Sequence, residues 1–163
     1  MKAMLKAAVL GSAVAMALIG TAHAGDVTCS STLGKQRIDG DVVVRGTCTL
    51  NGTTVDGNVK VYQGGRLTIK NATIDGDVQA DKASSVSVTG GAVNGNIQVK
   101  QSSSVRISGV RVDGDIQLFD NRGSVRAERN TVDGNLQCKG NTKKVTGQAN
   151  RVNGNKEDQC KAL

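Results

Sequence analysis

Seven times the chain returns to one five-residue phrase: an aliphatic residue, Asp or Asn, Gly, Asp or Asn, then a residue that is aliphatic in six copies. The copies are Ile38-Asp39-Gly40-Asp41-Val42, Val55-Asp56-Gly57-Asn58-Val59, Ile74-Asp75-Gly76-Asp77-Val78, Val93-Asn94-Gly95-Asn96-Ile97, Val112-Asp113-Gly114-Asp115-Ile116, Val132-Asp133-Gly134-Asn135-Leu136 and Val152-Asn153-Gly154-Asn155-Lys156. Their glycines stand 17, 19, 19, 19, 20 and 20 residues apart. A unit this short cannot bury its own apolar face, so the copies must stack on one another.

Counting from each glycine exposes the pattern. Minus nine holds Ser31, Cys48, Leu67, Val86, Val105, Val125 and Val145, and minus seven holds Leu33, Leu50, Ile69, Val88, Ile107, Ala127 and Gly147. Minus two is always Ile or Val. Plus two and plus four are aliphatic in most coils, ending in Lys156 and Asp158. Positions between them are mostly polar. Such alternation in short runs of branched residues predicts half-buried strands, one near minus nine to minus seven and one after the glycine. Minus two is read as opening a turn between them. Equivalent strands run the same way, so the expected fold is all-β: a single-stranded parallel β-solenoid of about seven coils. The apolar spacing lacks the hexapeptide rhythm of left-handed helices, so a right-handed β-helix is expected. One Tyr, one Phe and no Trp in the whole chain fit a thin aliphatic core.

The first residues have a different logic. Met1 to Lys6 carries two lysines, Ala7 to Ile19 is apolar, and Ala22-His23-Ala24 is a small-x-small cleavage site. Those three parts in order predict a secretory signal peptide, residues 1–24, and a β-helix domain with a C-terminal cap, residues 25–163. The apolar run is short for a membrane span, so no stable membrane anchor is expected. The predicted destination is the periplasm or the exterior. Four cysteines in an exported chain imply two disulfides. Cys29 and Cys48, like Cys138 and Cys160, lie about one repeat apart. Pairing on neighbouring coils would place one staple at each end, and residues Lys156 to Lys161 read as a charged cap.

The Asp/Asn-Gly-Asp/Asn phrase reads as a corner, with glycine supplying a positive φ. The residue after it alternates: Asp41, Asn58, Asp77, Asn96, Asp115, Asn135, then Asn155. Stacked carboxylates repel, and an interposed Asn both separates them and donates hydrogen bonds. An Asx ladder is therefore expected, with no cofactor. Calcium on Asp41, Asp77 and Asp115 is the alternative. Gln79, Gln98, Gln117 and Gln137 share plus three, which predicts an amide ladder.

Catalytic chemistry is not expected. Without its leader the chain has no histidine, its cysteines are paired, and its near-equal repeats leave no room for cleft-forming loops. It keeps 19 basic and 14 acidic residues, a net +5. Arg106 and Arg126 share minus eight, while Tyr62 and Phe119 share plus five. These four are the candidate surface-binding residues. No aromatic platform accompanies the arginines, so nucleic acid is not an expected partner. An envelope protein or an anionic polysaccharide fits better.

The aliphatic-x-Gly-x-aliphatic phrase, from Ile38 to Asn155, resembles bactofilins, polymer-forming bacterial cytoskeletal proteins with a right-handed β-helix core. The resemblance implies the solenoid fold and self-association. Two features depart from it: the signal peptide, since bactofilins look cytosolic, and the cysteine staples. The reading is a non-enzymatic structural or interaction module of the bacterial envelope or exterior. The alternatives are a carbohydrate-binding or carbohydrate-active β-helix protein and a calcium-dependent adhesin fragment.

Overall fold

A computed structural model describes residues 25–163; the leader read from residues 1–24 lies outside the described residues. The chain winds into a parallel β-solenoid with three sheets. Sheet A has eight strands, from Val27–Cys29 through Val42–Val44 and its successors to Lys156–Asp158. Sheet B has six, from Thr32–Leu33 to Ser124–Glu128, and sheet C has seven two-residue strands, from Arg37–Ile38 to Arg151–Val152. Every pairing is parallel and joins equivalent positions of adjacent coils, such as Val78 with Ile97 and Val86 with Val105. Coils spaced about 4.8 Å apart make a rod about 34 Å long.

The three-sided section corrects the reading of two strands and a turn per coil. Minus three and minus two form strands of their own because each residue pairs with the coils above and below. Two residues per coil therefore suffice for a continuous sheet. The positions read as apolar supply most of the core: Val42, Leu50, Val55, Ile74, Ile97, Ile107 and Leu136 are fully buried. Sheet B stops one coil early. Its seventh strand would carry Gly147 at minus seven, with no side chain to pack, and only an isolated Arg126–Thr146 bridge forms there.

The repeat glycines are required for a reason other than the one expected. None of them has a positive φ. Instead, the corner of one coil sits directly on the corner of the next. A Cβ on Gly57 would lie 2.7 Å from the Gly40 carbonyl oxygen, and one on Gly95 would lie 2.7 Å from that of Gly76. Left-handed backbone occurs at two other corners. One is at minus five: Gly52, Asn71, Gly90, Gly109, Arg129 and Ala149. The other is at plus six: Lys82, Gln101, Asp120 and Gly140.

At both corners, apart from Gly90, the residue after the left-handed one is turned inward. Over the later coils these inward residues are polar, and the composition pattern gave no warning of it. Asn121 and Asn141 are buried one above the other, as are Asn130 and Asn150. Asn121 donates from Nδ2 to the Val99 carbonyl at 3.1 Å, and its Oδ1 accepts from the Ser102 N–H at 2.9 Å. Asn141 repeats the arrangement with Leu118 and Asn121, and the column closes on Gln159. Asn130 and Asn150 do the same at the other corner. Buried amides satisfied on both sides hold the turn at a fixed height, because leaving any of these groups unpaired would be costly.

Both staples form as paired: Cys29–Cys48 and Cys138–Cys160. Their register differs from the expected one. Cys29 lies opposite Val44 in sheet A, whereas Cys48 belongs to sheet B. Cys138 lies opposite Asp158, and Cys160 comes two residues later. Each bridge therefore runs diagonally around a corner into the next coil. The ends also extend further than expected. Val27–Cys29 adds an eighth strand to sheet A before the first full phrase. At the far end Lys156–Asp158 continues the sheet before the chain turns, and the Lys156 ammonium donates to the Leu163 carbonyl.

Candidate interaction faces

The outward face of sheet A carries three parallel rows, at plus one, plus three and plus five. The plus-one row is an Asx ladder with a direction. Asp41 Oδ1 accepts the Asn58 backbone N–H at 2.7 Å and the Asn58 side-chain amide at 3.0 Å. Asn58 Oδ1 then accepts the Asp77 N–H at 2.9 Å. Asp77 with Asn96, and Asp115 with Asn135, repeat the double acceptance. Each Asn thus gives its amide hydrogen to the carboxylate behind it and its oxygen to the coil ahead. The Asn58 N–H, followed by the Lys60 ammonium at 2.5 Å, holds the pKa of the Asp41 carboxyl below its ordinary value, and the bond to Asp41 raises that of Lys60 in turn. Among the described residues no three acidic or cysteine side chains converge as a cation cage. The Oδ1 atoms of Asp41, Asp77 and Asp115 are occupied by amide hydrogens.

At plus three, Gln98 donates to Gln117 at 2.7 Å, Gln117 to Gln137 at 3.0 Å and Gln137 to Glu157 at 2.9 Å. Gln79 leaves this ladder and donates to Asp77 instead. The ladder gains Glu157 in its place. Amides locked in one direction present a regular polar strip along the rod.

The plus-five row runs Arg45, Tyr62, Asp81, Lys100, Phe119, Lys139. Its register is set by pairings such as Asp81 with Lys100 and Phe119 with Lys139. Tyr62 is 42% exposed, and the Arg45 guanidinium lies 4.4 Å from its ring centroid, a cation–π contact. Phe119 is half-buried. Tyr62 faces an open depression with Lys60, Gln79, Asp81, Gln98 and Lys100. Phe119 lines a second one with Lys100, Asp120 and Lys139. The two aromatics therefore share a face about 14 Å apart, three coils at the usual strand spacing.

Arg106 and Arg126 belong to a different face. They are register partners in sheet B, where two like charges side by side would repel. The structure resolves this with Glu128, which the sequence reading passed over. Its side chain is 2% exposed. It accepts from Arg126 at 2.5 Å and Arg106 at 2.8 Å, with Arg129 at 3.6 Å. The Arg126 hydrogen bond, the largest influence, holds the Glu128 carboxyl below its ordinary range and raises Arg126 in turn. Two further arginines, both at minus three, are likewise paired with carboxylates. Arg111 bridges Asp113 and Asp133 at minus one, as Arg37 bridges Asp39 and Asp56.

Comparison of the chain with protein-family models, curated proteins and solved structures finds no match. The architecture and the faces are thus the ground on which function must be argued.

Proposed function

We propose that this protein is a non-enzymatic structural or interaction module of the bacterial cell envelope or exterior. The observation that carries the reading is the commitment of its polar side chains to holding coils together. The Asx row, the Gln row and the buried Asn columns use donors and acceptors that a catalyst would aim at substrate. The two carboxyls with a displaced pKa, Asp41 and Glu128, are both displaced downward by cationic or N–H partners. A general acid or base works best with its pKa near the working pH, and these lie on the far side of the ordinary carboxylate value. Two disulfides fit maturation in an oxidising compartment, and the leader read from the sequence points to export.

The resemblance to bactofilins agrees with the solenoid architecture and suggests self-association. In sheet A, Lys156–Asp158 puts charged side chains on the final edge, which discourages end-to-end pairing there. One face favours a second reading. The polar strip of sheet A, with Tyr62 and Phe119 along one edge, suits a carbohydrate chain, since sugars stack on rings and bond to fixed amides.

The test has two arms. Cell fractionation should place the oxidised protein outside the cytoplasm. Purified protein incubated with a panel of neutral and acidic polysaccharides should leave their chain lengths unchanged. Turnover lost on an Asp115→Asn substitution would overturn the non-enzymatic reading.

A further inference from the structure

The charge of the rod is not evenly spread. Residues 25–94 hold seven basic and seven acidic side chains, so the first half is neutral. Residues 95–163 hold twelve basic and seven acidic side chains, so the whole net +5 sits on the second half. Within that half, one corner concentrates it. Arg106, Arg126 and Arg129 surround the single carboxylate of Glu128, which neutralises only one of them. Arg129 also lines an open depression with Asn130, Thr131, Asn150 and Arg151. Four guanidiniums therefore occupy one continuous stretch where sheet B turns into sheet C.

We propose that this corner binds an acidic polysaccharide, through carboxylate, sulfate or phosphate groups spaced along a linear chain. The assignment rests on the reading of the rod as an interaction module and names its partner class. Arg106 and Arg126 each direct one NH2 group at Glu128. A guanidinium has five N–H donors in a planar fork, and the remainder can receive a second anion in bidentate fashion. Glu128 acts as a positioning group: it orients the arginines without cancelling them. Stacking supplies the periodicity. Arg106 and Arg126 are one coil apart, so a polymer lying along the rod meets a new row of side chains about every 4.8 Å. A lipid surface fits less well, because basic side chains alone hold a bilayer only by electrostatic attraction, and firm adsorption adds apolar side chains to bury. The exposed large hydrophobic residue among those described, Tyr62, stands on sheet A in the neutral half.

The experiment uses oxidised protein lacking the leader, with polygalacturonate, neutral dextran and phosphatidylglycerol vesicles as probes in biolayer interferometry. Polygalacturonate should bind at low salt and be released as salt rises, and dextran should not bind. Arg129→Gln with Arg151→Gln leaves the Arg106–Glu128–Arg126 contacts in place and should weaken binding about tenfold, or about 1.4 kcal/mol. Lys35→Gln with Lys70→Gln removes the same charge from the neutral half and should change binding by less than about twofold. Equal Tm values for the two double variants confirm that folding is untouched. Absence of polygalacturonate binding at low salt, equal weakening by both variants, or a preference for vesicles with the same arginine dependence would each overturn the proposal. The length of recovered polymer reads the other claim separately: shortening would refute the non-enzymatic reading while leaving the binding site standing.

Discussion

Two glycines in the same coil, Gly109 and Gly114, separate two reasons for having glycine. Gly109 has φ 63°, and a Cβ there would meet nothing within 4 Å. Substituting Ala asks only for the left-handed strain, about 1–2 kcal/mol. Gly114 has no positive φ, but its Cβ would stand 2.8 Å from the Gly95 carbonyl oxygen and press on the Asn96 side chain. That side chain accepts the Asp115 N–H at 2.8 Å. Moving it aside loses a hydrogen bond and strands an N–H, about 2–3 kcal/mol together. Pushing apart two well-packed coils adds roughly 1–3 kcal/mol. Gly114→Ala should therefore cost about 4 kcal/mol, and Gly109→Ala about half of that or less. Urea unfolding of oxidised protein reads both, as midpoints at unchanged m. If Gly109→Ala proved as damaging as Gly114→Ala, close coil contact would not be the reason for the repeated glycine.

Three further outcomes are expected. Asn121→Ala removes the partners of the Val99 carbonyl and the Ser102 N–H inside the rod, and should cost about 3 kcal/mol in the same urea assay; a change below about 1 kcal/mol would mean these groups find other partners. Asp41 and Glu128 have folded-state pKa values held below those of the unfolded chain, so their contribution is present above the unfolded carboxylate value near pH 4 and is lost as pH falls through the folded value. Melting temperature should accordingly drop below about pH 4, and Glu128→Gln should flatten that drop; an unchanged acid limb in the variant would contradict the ion-pair assignment. Reducing the staples, which close loops of 19 and 22 residues, should cost roughly 3 kcal/mol each. Hydrogen exchange should then quicken first in Val27–Cys29 and Lys156–Asp158, while Ile97–Lys100 stays protected; uniform acceleration would argue against local stapling.

The parallel sheets were readable from the sequence because core residues such as Leu67, Val86 and Val105 obey one register along the chain. The Asx ladder was readable for the same reason, since Asp77 and Asn96 reveal their pairing by alternation. What escaped was anything that breaks the equation of polar with outward. Asn121 and Asn141 are polar, recur at 20 residues and are buried. Their signal lay in the residue before each, because Asp120 and Gly140 have the left-handed conformation that turns the next side chain inward. The third strand of each coil escaped because a two-residue element has no alternation to detect. The disulfide register escaped because separations of 19 and 22 residues were equated with one coil, whereas the residues one coil on from Cys29 and Cys138 are Val44 and Asp158. Among the candidate sites, Tyr62 and Phe119 were correctly placed in one row. Arg106 and Arg126 were recognised as neighbours, but the buried Glu128 that joins them sits where a surface residue was expected.

The Asx row also bears on how such a chain can change its length. Asn58 serves Asp41 behind it and Asp77 ahead of it in different ways, so neighbouring coils are not interchangeable. Removing any one of the coils from Gly57 to Gly114 would set carboxylate on carboxylate or leave an Asn facing another Asn without a charge to receive its amide. Removing two, for instance the coils of Gly76 and Gly95, would bring Asn58 against Asp115 and leave every partner of the right kind. The rod can thus be shortened or lengthened with least disturbance in steps of two coils, and the pair is its natural unit of growth. The alternation lapses where Asn135 is followed by Asn155, and there the Asn155 N–H still donates to Asn135 Oδ1 at 2.9 Å.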